Sequence, residues 1–171
     1  MELIKEMFWD IEPSEITKRQ WNVRRAVRAL VRDGDKIAVL KSTKYDFYKC
    51  LPGGGVDENE DLHTALAREI REEVGCEIRI TDEIGLCVEY IGDLSLISLS
   101  FIFVADKLSE IGQELTEEEV NSGFVLEWHN KEEIYSLVKN AKPTDKRGGQ
   151  QMEREKMILE YYLNKQNRKL S

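Results

Sequence analysis

The chain has 171 residues, 41% of them hydrophobic and 34% charged, with 25 Lys and Arg against 33 Asp and Glu for a net charge of −8. That length suits one domain burying roughly 70% of its unfolded surface, with no need of disulfides or structural metal. The acidic balance argues against duplex nucleic acid or an anionic membrane as partner, while a phosphate ligand bridged to carboxylates by a divalent cation stays open.

In chain order, residues 1–22 read as an amphipathic N-terminal extension carrying Phe8, Trp9 and Trp21. Its aromatic surface predicts packing on the core or across a homodimer. Residues 23–171 read as a single domain. Residues 23–31 are β-branched and nearly alternating, which predicts a strand, with Arg24, Arg28 and Arg32 on one face as a solvent-facing basic stripe or a phosphate-steering one. Asp33-Gly34-Asp35 signals a hairpin turn, residues 36–41 the returning strand, and residues 47–51 a short third strand closed by Pro52 and three glycines. A helix follows, with Asn59 as candidate N-cap, apolar Leu62, Leu66, Ile70 and Val74 every four residues, and Gly75 at the C-cap. Strands are expected at 78–90 and 96–105, an acidic loop with a short helical piece at 108–122, a strand at 124–128, a helix at 131–139, a loop at 142–149 and a terminal helix at 151–164. Strands interleaved with helices indicate α/β or α+β, with helices packed on a mixed sheet.

No apolar run approaches the ~18 residues of a membrane span, and the first ten residues lack a signal-peptide core, so a soluble, cytoplasmic protein is expected. Cys50, Cys76 and Cys87 stand at no metal-ligand spacing and read as reduced core residues. His63 and His129 are the two histidines, which excludes sites needing several imidazoles. Chemistry here must rest on carboxylates.

The informative stretch is Arg68-Glu69-Ile70-Arg71-Glu72-Glu73. Glu69, Glu72 and Glu73 are i, i+3 and i+4 neighbours within roughly a 100° arc of one helix face. Such a trio costs a few tenths of a kcal/mol per like-charge pair unless something neutralises it. Beside a buried apolar stripe it suits a hard divalent cation with oxygen ligands; alone it also fits a solvated acidic face. The glycine loop directly before it lets backbone approach a ligand without Cβ obstruction. It is neither a Walker loop nor a dinucleotide-binding one.

Gly54, Glu60, Arg68-Glu69-Ile70, Glu72-Glu73 and Gly75, over the 23 positions that end at Cys76, resemble the Nudix box, and Leu51-Pro52-Gly53 extends the likeness. The last box position is usually aliphatic; the cysteine there behaves as a small hydrophobe. The resemblance implies the Nudix α/β/α sandwich and a metal-dependent hydrolase acting on acid anhydrides of phosphorus, cleaving the pyrophosphate linkage of a nucleoside diphosphate derivative or a nucleoside triphosphate. It implies that Glu69, Glu72 and Glu73, with Gly53, hold Mg²⁺ or Mn²⁺. The catalytic set it implies is Glu60, Arg68 and Glu72, with Glu60 and Arg68 an ion pair that braces the loop against the helix. Gly54 and Lys41 would contact the small-molecule nucleotide, and Lys41 fits a solvated strand-end lysine equally well. A further glutamate from 114–119 would complete the site. The alternative is a nucleotide-sensing module that keeps the fold without turnover. Trp9, Trp21, Phe47 and Tyr48 fit base stacking or packing, Trp128 fits packing, and residues 147–150 fit an anion-binding turn or a helix-preceding loop.

Overall fold

The computed structural model describes residues 1–43, 47–49, 51–121, 123–143 and 145–170, without the side chains of 47–49, 118–119 and 169–170. Cys50 and the side chains of Phe47 and Tyr48 therefore lie outside the described residues.

Among the described residues, seven strands form one mixed sheet: β1 (Leu3–Trp9), β2 (Asn22–Asp33), β3 (Lys36–Ser42), β4 (Phe47–Lys49), β5 (Cys76–Ile91), β6 (Leu96–Glu110) and β7 (Phe124–Asn130). Their spatial order is β1-β5-β6-β2-β3-β4, with β7 paired to β3. The pairs β1–β5 and β2–β6 are parallel and the rest antiparallel. The helices are α1 (Leu62–Val74), α2 (Glu117–Asn121), α3 (Lys131–Asn140) and α4 (Lys146–Leu170).

β2 explains the layering. Val27, Ala29 and Val31 face one side and pack with Leu66, Ile70 and Val74 of α1. Leu30, with Ile102 and Val104 of β6, faces the other, under Ile134 and Val138 of α3 and Ile158, Leu159 and Tyr162 of α4. Covered on both faces, β2 buries every residue from Ala26 to Val31, with consecutive apolar side chains at Ala29, Leu30 and Val31. The sandwich expected from the box is the observed architecture.

Several local expectations change. β1 was not foreseen. It runs parallel to β5, with a register shift between Leu3 and Lys5. That shift sends Ile4, Met7 and Trp9 to the same core, which hides the period of two, and its partner lies far along the chain. Asn59 is not the N-cap: it has left-handed backbone at φ 63°, and Asp61 caps α1 instead. The arginines of β2 do not form a solvent-facing stripe, because α4 covers that face. Arg28 is 5% exposed, and Arg32 pairs with Asp106 at 2.6 Å. Residues 147–150 belong to the first turns of α4, with Arg147 engaging Asp93 at 2.9 Å. Trp128 packs against the α1-side core, as expected. Among the described residues no helix is long and apolar enough to cross a membrane.

Candidate active site

α1 is fixed at both ends. Asp61 accepts from the backbone N–H groups of His63 and Thr64 at 2.9 and 3.0 Å, and Gly75 turns the chain out in left-handed conformation. With Leu66 and Ile70 fully buried, about 1.5–3 kcal/mol each, the rotation of the helix about its axis is set. Glu69, Glu72 and Glu73 must then line one edge. They sit at different depths: Glu73 is fully buried, Glu69 nearly so, and the Glu72 side chain is 27% exposed.

The glycine loop runs beside β2, with Pro52 and Gly54 carbonyls accepting from Ala29 and Val27 N–H at 3.0 Å. Gly53 has φ +130°, and a Cβ there would overlap the Val27 carbonyl oxygen. This backbone aims the Gly53 N–H at the buried Glu73 carboxylate, 2.5 Å away. At Gly54 a Cβ would occupy the place of the Glu69 carboxylate. Loop and helix interlock only because these two positions lack side chains.

Arg68 ties the parts together. Its guanidinium donates to both Glu60 oxygens at 3.1 and 3.0 Å, to the Gly55 carbonyl at 2.9 Å, to Glu69 at 2.9 Å and to Glu72 at 3.5 Å. The hydrogen bond from Arg68, then that from the Asp57 N–H, holds the Glu60 carboxyl below its ordinary range. In return Glu60 above all raises the Arg68 pKa. Glu60, 12% exposed at its side chain, and Arg68 thus form a bidentate brace between loop and helix.

The donor set suits a hard divalent cation, being carboxylate oxygen throughout. Among the described residues no three His, Cys, Asp or Glu side chains form a closed metal cluster. The reason is visible in the contacts: Arg68 engages Glu69 and Glu72, and the Gly53 N–H engages Glu73. Protein donors hold the carboxylates that a cation would claim.

These contacts join Gly53, Gly54, Glu60, Arg68, Glu69, Glu72 and Glu73. Lys41 lies on β3, half-buried and in register with Val125 of β7. The segment that follows β6 is the one from which a further glutamate is expected, and Gln113 in it was not singled out from the sequence. Gln113 donates to the Glu73 carbonyl at 2.6 Å, and the Glu114 N–H donates to the Glu72 carbonyl at 3.0 Å. The 114–119 loop thus starts beside α1, and the acidic run was its sequence signal. Arg28, whose Cα lies directly behind Gly53, was also missed as a buried residue.

A NUDIX domain family model matches residues 22–152. An uncharacterized Nudix hydrolase, YvcI, of Bacillus subtilis is 29% identical over 118 residues, 67% of this chain and 71% of its own length. An RNA pyrophosphohydrolase of Campylobacter jejuni is 35% identical over 74 residues, 40% of this chain; the chain spans 44% of that relative's length. Among solved structures, a NUDIX hydrolase from Nitrosomonas europaea superposes with a TM-score of 0.57 at 19% identity, covering 77% of this chain and 87% of its own, a likeness of fold. With a family match across most of the chain, the sandwich architecture and the box residues on their loop and helix, the chain belongs to the Nudix hydrolases, enzymes that act on pyrophosphate bonds.

Proposed function

We propose that the chain is a divalent-cation-dependent pyrophosphohydrolase of a small nucleotide, a nucleoside diphosphate derivative or a nucleoside triphosphate. The observation that carries this reading is the interlock of loop and helix, in which Glu69, Glu72 and Glu73 line the edge of α1 against Gly53 and Gly54. Family members generally work with divalent cations. Glu69, Glu72 and Glu73, with the Gly53 carbonyl, would hold Mg²⁺ or Mn²⁺ here. Bound there, the cation would neutralise phosphate oxygens and lower the pKa of the attacking water.

The chain's own residues do the rest. Glu73, buried and hydrogen-bonded to the Gly53 N–H, fixes the loop on the helix, so the phosphate-facing backbone is organised before substrate arrives. Glu72, the most exposed of the three, would take a proton from water. Arg68 and Glu60 keep Gly55 and the box helix in register. Arg24, exposed with its guanidinium over Gly55, is a cation available to the phosphates, and Lys41 would serve as a second contact from β3. The N-terminal extension adds strand β1 to the sheet of its own chain.

The test is incubation with a panel of nucleoside diphosphate derivatives and nucleoside triphosphates in Mg²⁺, with phosphate measured after a coupled phosphatase. Hydrolysis of at least one substrate, abolished by Glu72→Gln, supports the reading; no turnover across the panel in Mg²⁺ or Mn²⁺ refutes it.

A further inference from the structure

The sheet face under α4 changes character along its length. Around Leu30, Ile102 and Val104 it is apolar, covered by Leu159 and Tyr162. Toward the glycine loop a strip of polar residues takes over. The strand register sets Ala26 against Ser100 and Arg28 against Ile102, and on the other side Cys87 against Ser100 and Glu89 against Ser98. α4 lays Arg154 and Glu155 over this strip. Arg28, Glu89, Ser100, Arg154 and Glu155 are all buried, with 0–8% exposure.

Half of the strip is complete. Arg154 donates to Glu89 at 3.0 Å and to one Glu155 oxygen at 3.0 and 3.3 Å, and the other Glu89 oxygen accepts from the Trp9 indole at 3.3 Å. The other half lacks hydrogen-bond partners. Arg28 Nε and Nη1, Ser100 Oγ and Glu155 Oε2 have no hydrogen-bond partner among the described residues. Arg28 and Glu155 are close enough for their charges to interact, yet donor and acceptor stay unmet. Buried polar atoms are nearly always paired, so complementary orphans in one strip point to a group that belongs between them.

Two arginines balance two glutamates here, so the strip as a whole favours a neutral group over a bare anion. It also adjoins the box. Gly53 sits on the Arg28 backbone, and Arg24, four residues back on the same face of β2, reaches Gly55 from the exposed end. A substrate with its pyrophosphate at the glycine loop would have its remainder next to this strip.

Resting on the pyrophosphohydrolase reading, we propose that Arg28 and Glu155 are specificity-determining residues for the uncharged base of the nucleotide, Arg28 donating to an acceptor on the base edge and Glu155 accepting from the N–H beside it. Ser100 supplies a third hydrogen-bonding group. Each base carries its donors and acceptors in a different order, so a fixed Arg–Glu pair selects among them. A site built to hydrogen-bond discriminates strongly, because the wrong edge leaves its buried groups unpaired.

The test is binding of the free nucleosides adenosine, cytidine, uridine and inosine to the full chain, followed by ligand-observed NMR titration, for wild type, Arg28→Met and Glu155→Gln. The expected result is a wild-type preference of at least tenfold for one nucleoside, reduced at least tenfold in both variants. Should Arg28→Met fail to fold, Glu155→Gln, which keeps size and shape, decides alone. No nucleoside binding by wild type, or equal binding of all four that Glu155→Gln leaves unchanged, overturns the proposal and makes the strip a packing element around buried water. Nucleosides carry no phosphate, so this result is independent of turnover. Hydrolysis without base preference fails this proposal alone, and base preference without hydrolysis fails the enzymatic reading alone.

Discussion

Two neighbouring glycines separate stability from catalysis. At Gly53 a methyl group would come inside 3.0 Å of the Val27 carbonyl oxygen, and that backbone cannot give way because Val27 sits in the sheet. The φ of +130° adds strain that any L side chain meets. Overpacking of about 1–3 kcal/mol and backbone strain of similar size give Gly53→Ala a cost of about 3 kcal/mol or more. At Gly54 the atoms nearest the methyl group belong to the end of the Glu69 side chain, which can rotate away. Leaving Arg68 forfeits a partly exposed ion pair worth about 0–1 kcal/mol, and the stiffer unfolded chain returns about 0.4–1 kcal/mol. Gly54→Ala is therefore expected within about 1 kcal/mol of wild type in urea denaturation without metal. Its activity is expected to fall about a hundredfold or more, since Glu69 no longer stands where the loop faces it. If Gly54→Ala hydrolyses at the wild-type rate, or destabilises as much as Gly53→Ala, the interlock of loop and helix is not what organises the site.

Excess chelator should abolish hydrolysis and Mg²⁺ or Mn²⁺ restore it; wild type should gain about 2.7 kcal/mol at a hundredfold excess over Kd, read as a thermal shift that Glu69→Gln diminishes. Glu73→Ala should cost about 3 kcal/mol, because it opens a buried gap and orphans the Gly53 N–H; urea midpoints for it and for Glu72→Ala, expected near wild type, test the difference in depth. The Glu60 carboxyl titrates below its ordinary 4.5 when folded, so its stabilisation is fully present above that pH and is lost as pH falls through the depressed value; Glu60→Gln should flatten the acid limb of the stability–pH curve. Burial pushes the Cys76 thiol up to about 11 and the Cys87 thiol up to about 12, so mass spectrometry after thiol labelling at pH 8 should find both unmodified until the protein unfolds. Removing residues 1–10 should lower stability and expose the β5 edge, with self-association visible by light scattering; unchanged stability would mean that β1 adds nothing to the sheet.

The box helix was legible because everything that fixes it lies within a few turns. Leu66, Ile70 and Val74 set the buried face, Gly75 the end, and the i, i+3, i+4 spacing of Glu69, Glu72 and Glu73 follows from helix geometry alone. The β2–β3 hairpin and α3 were legible for the same reason, each carrying its own turn or cap. β1 was not, because its register shift blurs the alternation and its partner β5 is remote in sequence. The extent of α4 was also hidden: Gly148 and Gly149 argue for a loop locally, yet Asp145 caps the turn and packing of Ile158 and Leu159 carries the helix. Depth was beyond reach for any single residue. Arg24, Arg28 and Arg32 share one strand face and one residue type, yet the first stays exposed, the second is buried under α4 and the third pairs with Asp106 of the neighbouring strand β6. Side-chain spacing is a property of the local backbone, so the sequence determined which carboxylates share an edge. Burial and partners depend on which remote segments cover a face, so only the tertiary structure decided that Glu73 locks Gly53 and that Arg28 and Glu155 are both buried between β2 and α4.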